Sequence, residues 1–196
     1  MTDQQLKKCL ARLGKELAKF NDNEEKKIEY IILRPDLNEM LRWYFIIKGL
    51  DKPYTGGVYM GQIDFPKDYP FSAPVFRFLT PNGRFEAGTT ICTSFSHFHN
   101  DDSWSANWTA EKMVAGLMSM MFESAEHGAN DSGIGGIVST DEYKLELAKN
   151  SMEFNKKNKK FNETFSDIIE NLEKESAINL SKEIEKLNQE HQVVDE

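Results

Sequence analysis

The sequence is poor in cysteine, poor in positive charge and free of long apolar runs. Its 196 residues include only two cysteines, Cys9 and Cys92, which is too few for the disulfide framework of a small secreted domain. The 24 Lys and Arg residues are outnumbered by 32 Asp and Glu, for a formal net charge of -8. Because nucleic-acid binding draws most of its affinity from Lys and Arg, this balance argues against a nucleic-acid partner.

The hydrophobic patterning points to a folded domain outside the membrane. The longest charge-free apolar stretch, residues 113–122, is about half of the roughly 20 residues that a membrane span requires. The first 20 residues lack the continuous apolar core of a secretory signal. We therefore expect no membrane span in this chain, a reducing compartment and a cytosolic location.

The periodicity of the chain predicts an α+β fold with one helix, then a sheet, then further helices. Apolar residues at helical spacing predict the first helix, which includes Leu6, Leu10, Leu13, Leu17 and Phe20. Four strand-like segments follow in sequence, IEYIILRP, LRWYFIIKG, VYMGQIDF and VFRFL, and their short turns predict a four-stranded antiparallel meander. We predict that residues 1–165 form one folded domain and that residues 166–196 form a charged extension, helical or partly disordered.

A long irregular tract follows the strands, over residues 79–107, and a tract of this length in a compact domain is usually functional. Two helical segments come after it. Thr109 is the expected N-cap of TAEKMVAGLMSMMFE, and Ser139 or Thr140 is the expected N-cap of STDEYKLELAKNSMEF.

Cys92 is the candidate reactive residue of the tract. It lies in TTICTS, where hydroxyl side chains make a polar surrounding in which a partner can reach a thiol. Cys9 has the opposite setting, inside the first helical pattern, and we expect it to be structural.

Three chemistries compete for Cys92. A metal site formed by Cys92 with His97, His99 and Asp101 or Asp102 lacks any zinc-ligand spacing. A cysteine protease usually takes its base from a distant segment, and no protease signature surrounds Cys92. Acyl carriage needs a reachable thiol and hydrogen-bond donors for an oxyanion, which loop amides and Asn82 can supply. The residue types alone do not decide among these three chemistries.

The motifs around Cys92 occur in an order that resembles one family. They are YPFSAP, TPNGRF before the cysteine, Phe-His seven residues after it, two Trp in W-x-x-x-W spacing, and STDEYKLELAKNSMEFN. Their order and spacing over residues 5–165 resemble the ubiquitin-conjugating enzymes, and specifically the tail-anchored endoplasmic-reticulum branch. Members of that branch end in a membrane helix, which this sequence does not contain. The resemblance implies a cytosolic relative, or a chain cut before its anchor that belongs to the cytosolic face of the endoplasmic reticulum.

The resemblance assigns roles to particular residues. It implies that Cys92 is the nucleophile that carries ubiquitin as a thioester. Asn82 lies in Thr-Pro-Asn, where most members have His-Pro-Asn, and is implied to support the oxyanion or the loop. His99 lies in Phe-His-Asn, where the branch has Phe-His-Pro, and is implied to be a base for hydroxyl acceptors or a loop anchor. The surface that binds the activating enzyme and the ligase is implied to include Lys7, Lys8, Pro70, Phe71, Trp108 and Thr109.

The resemblance also implies partners. Ubiquitin arrives from an activating enzyme and passes to lysine, or in this branch also to serine or threonine, with the help of a RING-type ligase in protein quality control and degradation. The activating enzyme consumes the ATP, so we expect neither a bound cofactor nor a metal, and we expect a monomer. Two alternatives remain: a catalytically silent module that binds ubiquitin or a ligase, and a conjugating enzyme for another ubiquitin-like modifier.

Overall fold

A computed structural model describes residues 3–22, 29–92, 104–122 and 135–194, with side chains as far as residue 186. The helices are α1 (Asp3–Asp22), α2 (Ala110–Phe122), α3 (Asp141–Lys156), α4 (Lys159–Phe165) and α5 (Ile169–Val194). The strands are β1 (Ile31–Pro35), β2 (Arg42–Lys48), β3 (Val58–Asp64) and β4 (Val75–Phe78). They form one antiparallel sheet in the order β1-β2-β3-β4, so the predicted α+β class and the four-stranded meander are confirmed.

Side chains of β2 alternate between the two faces of the sheet, as strand geometry requires. Trp43, Phe45 and Ile47 point to the first face, and Tyr44 and Ile46 point to the second; all five are buried. A strand that is apolar on both sides in this way needs a covering layer on each face of its sheet.

The first face of the sheet is covered by α1 and α2. The covering side chains are Cys9, Leu13 and Phe20 from α1, and Ala110, Met113, Val114, Leu117 and Met121 from α2. One glycine makes this packing possible. Gly61 of β3 lies opposite Phe45, and a Cβ at that position would overlap the Phe45 ring.

The second face is covered by the C-terminal helices. Met152 of α3, Phe161 and Phe165 of α4, and Leu172 of α5 are buried against Tyr44, Ile46, Val58 and Met60 of the sheet. No helix within the described ranges is both long and apolar enough to cross a membrane.

Polar contacts fix the starts of two helices. Thr109 accepts a hydrogen bond from the Lys112 amide at the start of α2 (3.4 Å), and Thr140 accepts one from the Tyr143 amide at the start of α3 (3.2 Å). Both predicted N-cap assignments are confirmed, with Thr140 rather than Ser139 as the cap of α3. Ser139 instead donates its hydroxyl to the Gly83 carbonyl.

Candidate active site and partner surface

Cys92 lies just beyond the outer edge of the sheet. The preceding segment donates two hydrogen bonds to β4, from the Gly88 amide to the Phe78 carbonyl (2.7 Å) and from the Ile91 amide to the Phe76 carbonyl (2.9 Å). Ile91 is completely buried, whereas Cys92 is partly exposed. The chain is therefore hydrogen-bonded to the edge strand β4 up to Ile91, directly before Cys92.

Cys9 contrasts with Cys92 in its burial. It is fully buried in α1, and its thiol donates to the Pro66 carbonyl (3.6 Å). Burial raises the pKa of the Cys9 thiol, and the nearby carboxylates of Asp68 and Glu16 raise it further. Since the thiolate is the reactive form, Cys9 is an inert, structural cysteine at neutral pH.

Asn82 is completely buried within the turn that leads from β4 toward Cys92. Its side-chain oxygen accepts hydrogen bonds from the Arg84 amide (2.9 Å) and the Phe85 amide (2.8 Å), and its side-chain nitrogen donates to the Thr80 carbonyl (3.3 Å). These contacts hold the backbone of residues 80–85 in one conformation. Gly83 follows with a φ of +79°, a left-handed conformation that glycine adopts at little cost.

A buried polar network behind this turn joins it to α3, and the sequence alone did not reveal it. The Thr80 hydroxyl accepts from the Met60 amide (2.9 Å) and donates to the side-chain oxygen of Asn155. Asn155 in turn donates to the Val58 carbonyl (2.8 Å), and the Ser151 hydroxyl accepts from the Val58 amide (3.0 Å). Its signal in the sequence was Ser151 and Asn155 at helical spacing beside the buried Ala148 and Met152.

The residues predicted to bind the ligase lie in three segments that the fold brings together. These segments are α1, the loop 65–74 and the loop 104–109. The Trp104 indole donates to the Pro70 carbonyl (2.9 Å), so the two loops are in direct contact. Phe71 is 79% exposed at the tip of its loop, although large apolar side chains of this type are usually covered. Lys7 and Lys8 are exposed on α1.

A polar hub on α1 ties these segments to one another. The Glu16 carboxylate accepts from the Arg12 guanidinium, from the Tyr69 hydroxyl (2.8 Å) and from the Ala110 amide (2.9 Å). The Arg12 guanidinium also donates to the Ala106 carbonyl (3.0 Å) and the Trp108 carbonyl (3.1 Å). We did not predict this hub from the sequence, because Glu16 is there indistinguishable from the other charged residues of a solvated helix face.

The electrostatics of the hub follow from its burial. The Glu16 side chain is only 6% exposed, and that of Arg12 is 31% exposed. Burial raises the pKa of the Tyr69 phenol, and the neighbouring Glu16 carboxylate raises it further. Tyr69 therefore stays protonated and donates a hydrogen bond to Glu16. The hydrogen bond to Glu16 likewise raises the pKa of Arg12.

Four residues considered in the sequence analysis lie outside the described residues: His97, His99, Asp101 and Asp102. The metal site that would use the two histidines, and the role of His99 as base or loop anchor, therefore stay predictions. Within the described part of the chain, no group of three or more metal-ligand side chains comes together.

Comparison with known proteins identifies the family. The family model described as ubiquitin-conjugating enzyme matches residues 12–161. The chain is 40% identical over 160 residues to the ubiquitin-conjugating enzyme E2 J2-like of Dictyostelium discoideum, covering 81% of this chain and 88% of that protein. It is 37% identical over 166 residues to the ubiquitin-conjugating enzyme E2 6 of Candida glabrata, covering 84% of this chain and 63% of that protein.

Among solved structures, human ubiquitin-conjugating enzyme E2 G1 matches with a TM-score of 0.50 and 29% identity, over 58% of this chain and 94% of that one. The chain spans less than two thirds of the Candida glabrata relative, but most of the Dictyostelium discoideum one. With a family model matched over most of its length and a 40% identical relative matched over most of that protein, the chain belongs to the ubiquitin-conjugating enzyme family, whose members are ubiquitin transferases.

Proposed function

We propose that this chain carries ubiquitin as a thioester on Cys92 and transfers it to lysine side chains of substrate proteins with the help of a RING-type ligase. The observation that carries the proposal is the contrast between its two cysteines. Cys92 is partly exposed beyond an anchored edge strand, whereas Cys9 is buried. Membership of the ubiquitin-conjugating enzyme family supports ubiquitin transfer as the chemistry of this partly exposed thiol.

The reaction consists of two acyl transfers. In the first, the Cys92 thiolate attacks the ubiquitin thioester carbonyl on the activating enzyme. A new S–C bond forms at Cys92, and the activating enzyme's cysteine leaves as a thiolate. In the second, a neutral lysine amine attacks the same carbonyl, an amide bond forms, Cys92 leaves as a thiolate and the amine gives up a proton. The activating enzyme consumes the ATP, so this chain needs neither cofactor nor metal.

Asn82 contributes to this mechanism as loop support. Two backbone amides already donate to its side-chain oxygen, and its buried amide group contacts the Thr80 carbonyl. A side chain held in this way fixes the turn that leads to Cys92, and fixed geometry at the reacting centre is what orientation-dependent catalysis requires. Loop amides near Cys92 are then the donors for the oxyanion. For His99 we keep both predicted roles, a base toward serine or threonine acceptors or an anchor of the loop.

The binding surface for the activating enzyme and the ligase comprises Lys7, Lys8, Pro70, Phe71, Trp108 and Thr109. Two observations support this surface: Phe71 is 79% exposed, and the loops 65–74 and 104–109 are in direct contact. An exposed aromatic ring beside backbone that is already ordered is a suitable anchor for a partner, because little further ordering is needed on binding.

The resemblance to the endoplasmic-reticulum branch supports a role in protein quality control at the cytosolic face of that membrane. We propose that the chain acts there as a monomer.

A charging assay tests the proposed function. The protein is mixed with ubiquitin, activating enzyme and ATP, and the products are separated without reducing agent. We expect an adduct one ubiquitin heavier that disappears on adding thiol. It should persist in Cys9→Ser; in Cys92→Ser it should either be lost or become resistant to thiol, because an oxygen ester replaces the thioester.

Two results would contradict the proposal. An adduct that depends on Cys9, or no adduct when the activating enzyme is itself charged, would remove the assignment of Cys92 as the ubiquitin carrier. The second result would favour the silent binding module, or a conjugating enzyme for a different ubiquitin-like modifier, and repeating the assay with other modifiers and their activating enzymes separates these two.

A further inference from the structure

Glu16 is a buried carboxylate on α1 whose three hydrogen-bond donors come from three different segments of the chain. Arg12 donates from α1 itself, Tyr69 from the loop 65–74, and the Ala110 amide from the start of α2. The Glu16 side chain is 6% exposed. Burying a charge is costly unless it is paired and hydrogen-bonded, and here it is both.

The segments that meet at Glu16 are those that carry the proposed ligase-binding residues. Tyr69 directly precedes Pro70 and Phe71, and Ala110 directly follows Trp108 and Thr109. Tyr69 also contacts the loop 104–109 directly, because its hydroxyl donates a hydrogen bond to the Trp108 carbonyl (3.2 Å).

Arg12 and Trp104 complete the connection between the same elements. The Arg12 guanidinium is held by Glu16 and donates to the carbonyls of Ala106 and Trp108. Trp104 binds the Pro70 carbonyl, and its ring lies 6.2 Å from that of Tyr69. Glu16, together with the Arg12 guanidinium that it holds, therefore contributes to the relative position of α1 and the two loops.

We propose that Glu16 is a positioning residue for ligase-dependent ubiquitin transfer: it holds the loops 65–74 and 104–109 on α1 in the arrangement that a ligase binds. The inference rests on the proposed function, and extends it from the residues that touch the ligase to the residue that sets their geometry. Preorganisation of this kind raises affinity by removing the cost of ordering the surface on binding.

Replacement of Glu16 by Gln tests the charge and the acceptor count at nearly constant volume. A carboxylate has two acceptor oxygens, whereas Gln has one oxygen and an NH2 group that only donates. The oxygen cannot serve all three donors as before, and at least one of them then faces the NH2 group. Unpaired buried donors are costly, so we expect the loops to shift.

Asp36 offers a matched control on the second face of the sheet. Its side chain is 4% exposed, and it too accepts from a cation, a tyrosine hydroxyl and a backbone amide. These donors are Lys160 (3.0 Å), Tyr44 (3.3 Å) and the Asn38 amide (2.8 Å). Asp36→Asn removes the same kind of buried charge without touching α1 or either loop.

The closing experiment measures single-turnover discharge of the Cys92–ubiquitin thioester to free lysine while a RING domain is titrated. The RING domain is one selected beforehand because it stimulates the wild-type protein. For Glu16→Gln we expect about a tenfold rise in the RING concentration that gives half the maximal rate, equivalent to about 1.4 kcal/mol. The rate at saturating RING should stay within about twofold of the wild-type rate. Tyr69→Phe removes one donor only and should show a smaller rise.

Hydrogen exchange of residues 66–72 and 104–112 gives a second readout that needs no ligase. Faster exchange confined to these segments in Glu16→Gln, and absent in Asp36→Asn, supports the proposal. An unchanged half-maximal RING concentration in Glu16→Gln, the same rise in Asp36→Asn, or a fall in the saturated rate alone would overturn it. Failure of the proposed function looks different: the wild-type protein then forms no thioester before any RING domain is added, while the exchange data still decide whether Glu16 positions the loops.

Discussion

The two faces of the sheet are covered by different parts of the chain and are closed in different ways. The first face lies under α1 and α2, and the loops that carry the proposed partner surface are attached beside it through the buried Glu16. The second face lies under α3, α4 and α5. Around it, ion pairs join the sheet to the C-terminal segments, Arg34 to Asp167 in the turn between α4 and α5, and Lys48 to Glu175 of α5.

This difference suggests that the first face serves partner binding as well as stability, whereas the second face serves mainly stability. Helix α1 and the loops beside the first face carry the proposed partner surface, so changes there are expected to alter activity as well as stability. The C-terminal helices cover the second face, and α3 also contacts the turn 80–85 through the hydrogen bond between Asn155 and Thr80. We therefore expect changes in α4 and α5 to lower the free energy of unfolding while leaving ubiquitin charging of the folded protein intact.

The largest effect is expected for Phe161→Ala on the second face. Phe161 is completely buried, and its ring lies 5.7 Å from that of Phe165. Removing a buried ring of this kind costs about 3–5 kcal/mol. Urea denaturation measures the loss. The matched control is Phe154→Ala on α3, because Phe154 is 42% exposed and its truncation should change stability by no more than about 0.5 kcal/mol.

This prediction also tests the separation of the two faces. Cys92 charging per folded molecule should be the same in Phe161→Ala as in the wild-type protein, measured at a temperature where both are folded. A loss of charging without unfolding would show that the second face contributes to the active site, and the comparison would then fail.

The sequence predicted the first face better than the second. The helical spacing of Leu13 and Phe20 and the alternation of Trp43, Phe45 and Ile47 are strong local patterns, and the structure confirms both. The covering of the second face was harder to predict, because its layer comes from distant segments with weak amphipathic patterns.

The candidate site shows the same limit. Cys92 and the three segments of the proposed partner surface were predicted from local motifs and from their resemblance to the family. The hub at Glu16 and the network of Thr80, Ser151 and Asn155 were not, because a buried polar side chain acquires its partners only through tertiary folding. A charged residue in a helical pattern is indistinguishable by sequence from the solvated charges around it.

A smaller effect is expected for Leu172→Ala in α5. Leu172 is buried against the second face although it lies beyond residue 165, the predicted end of the catalytic domain. We expect a loss of about 2 kcal/mol, at the lower end of the range for buried Leu→Ala changes, because α4 still covers most of this face. Ile178→Ala is the control, since Ile178 lies on the same helix and is 53% exposed.

The result decides where the folded domain ends. A loss of this size would extend the cooperative unit into α5. If Leu172→Ala and Ile178→Ala are equally stable in urea, α5 contributes little, and the predicted division at residue 165 is the better description.

The smallest effect is expected for Asp167→Asn, at the rim of the second face. Arg34 binds the Asp167 carboxylate with both terminal nitrogens and also donates to the Thr164 carbonyl (2.8 Å). The hydrogen bond from Arg34 holds the pKa of Asp167 below its ordinary value. The Asp167 side chain is nevertheless 62% exposed. Exposed pairs of this type contribute about 0.2–1 kcal/mol, so we expect a loss in that range at pH 7.

The pH dependence distinguishes this ion pair from a packing effect. Because the pKa of Asp167 is lower in the folded chain than in the unfolded one, its contribution is fully present above the unfolded value of about 3.9 and is lost as the pH falls through the folded value. The wild-type protein and Asp167→Asn should therefore differ at pH 7 and converge in strongly acidic urea titrations, with Glu146→Gln as an exposed mid-helix control. A difference that persists in acid would mean that Asp167 acts through packing, and the rim of the second face would then resemble its core.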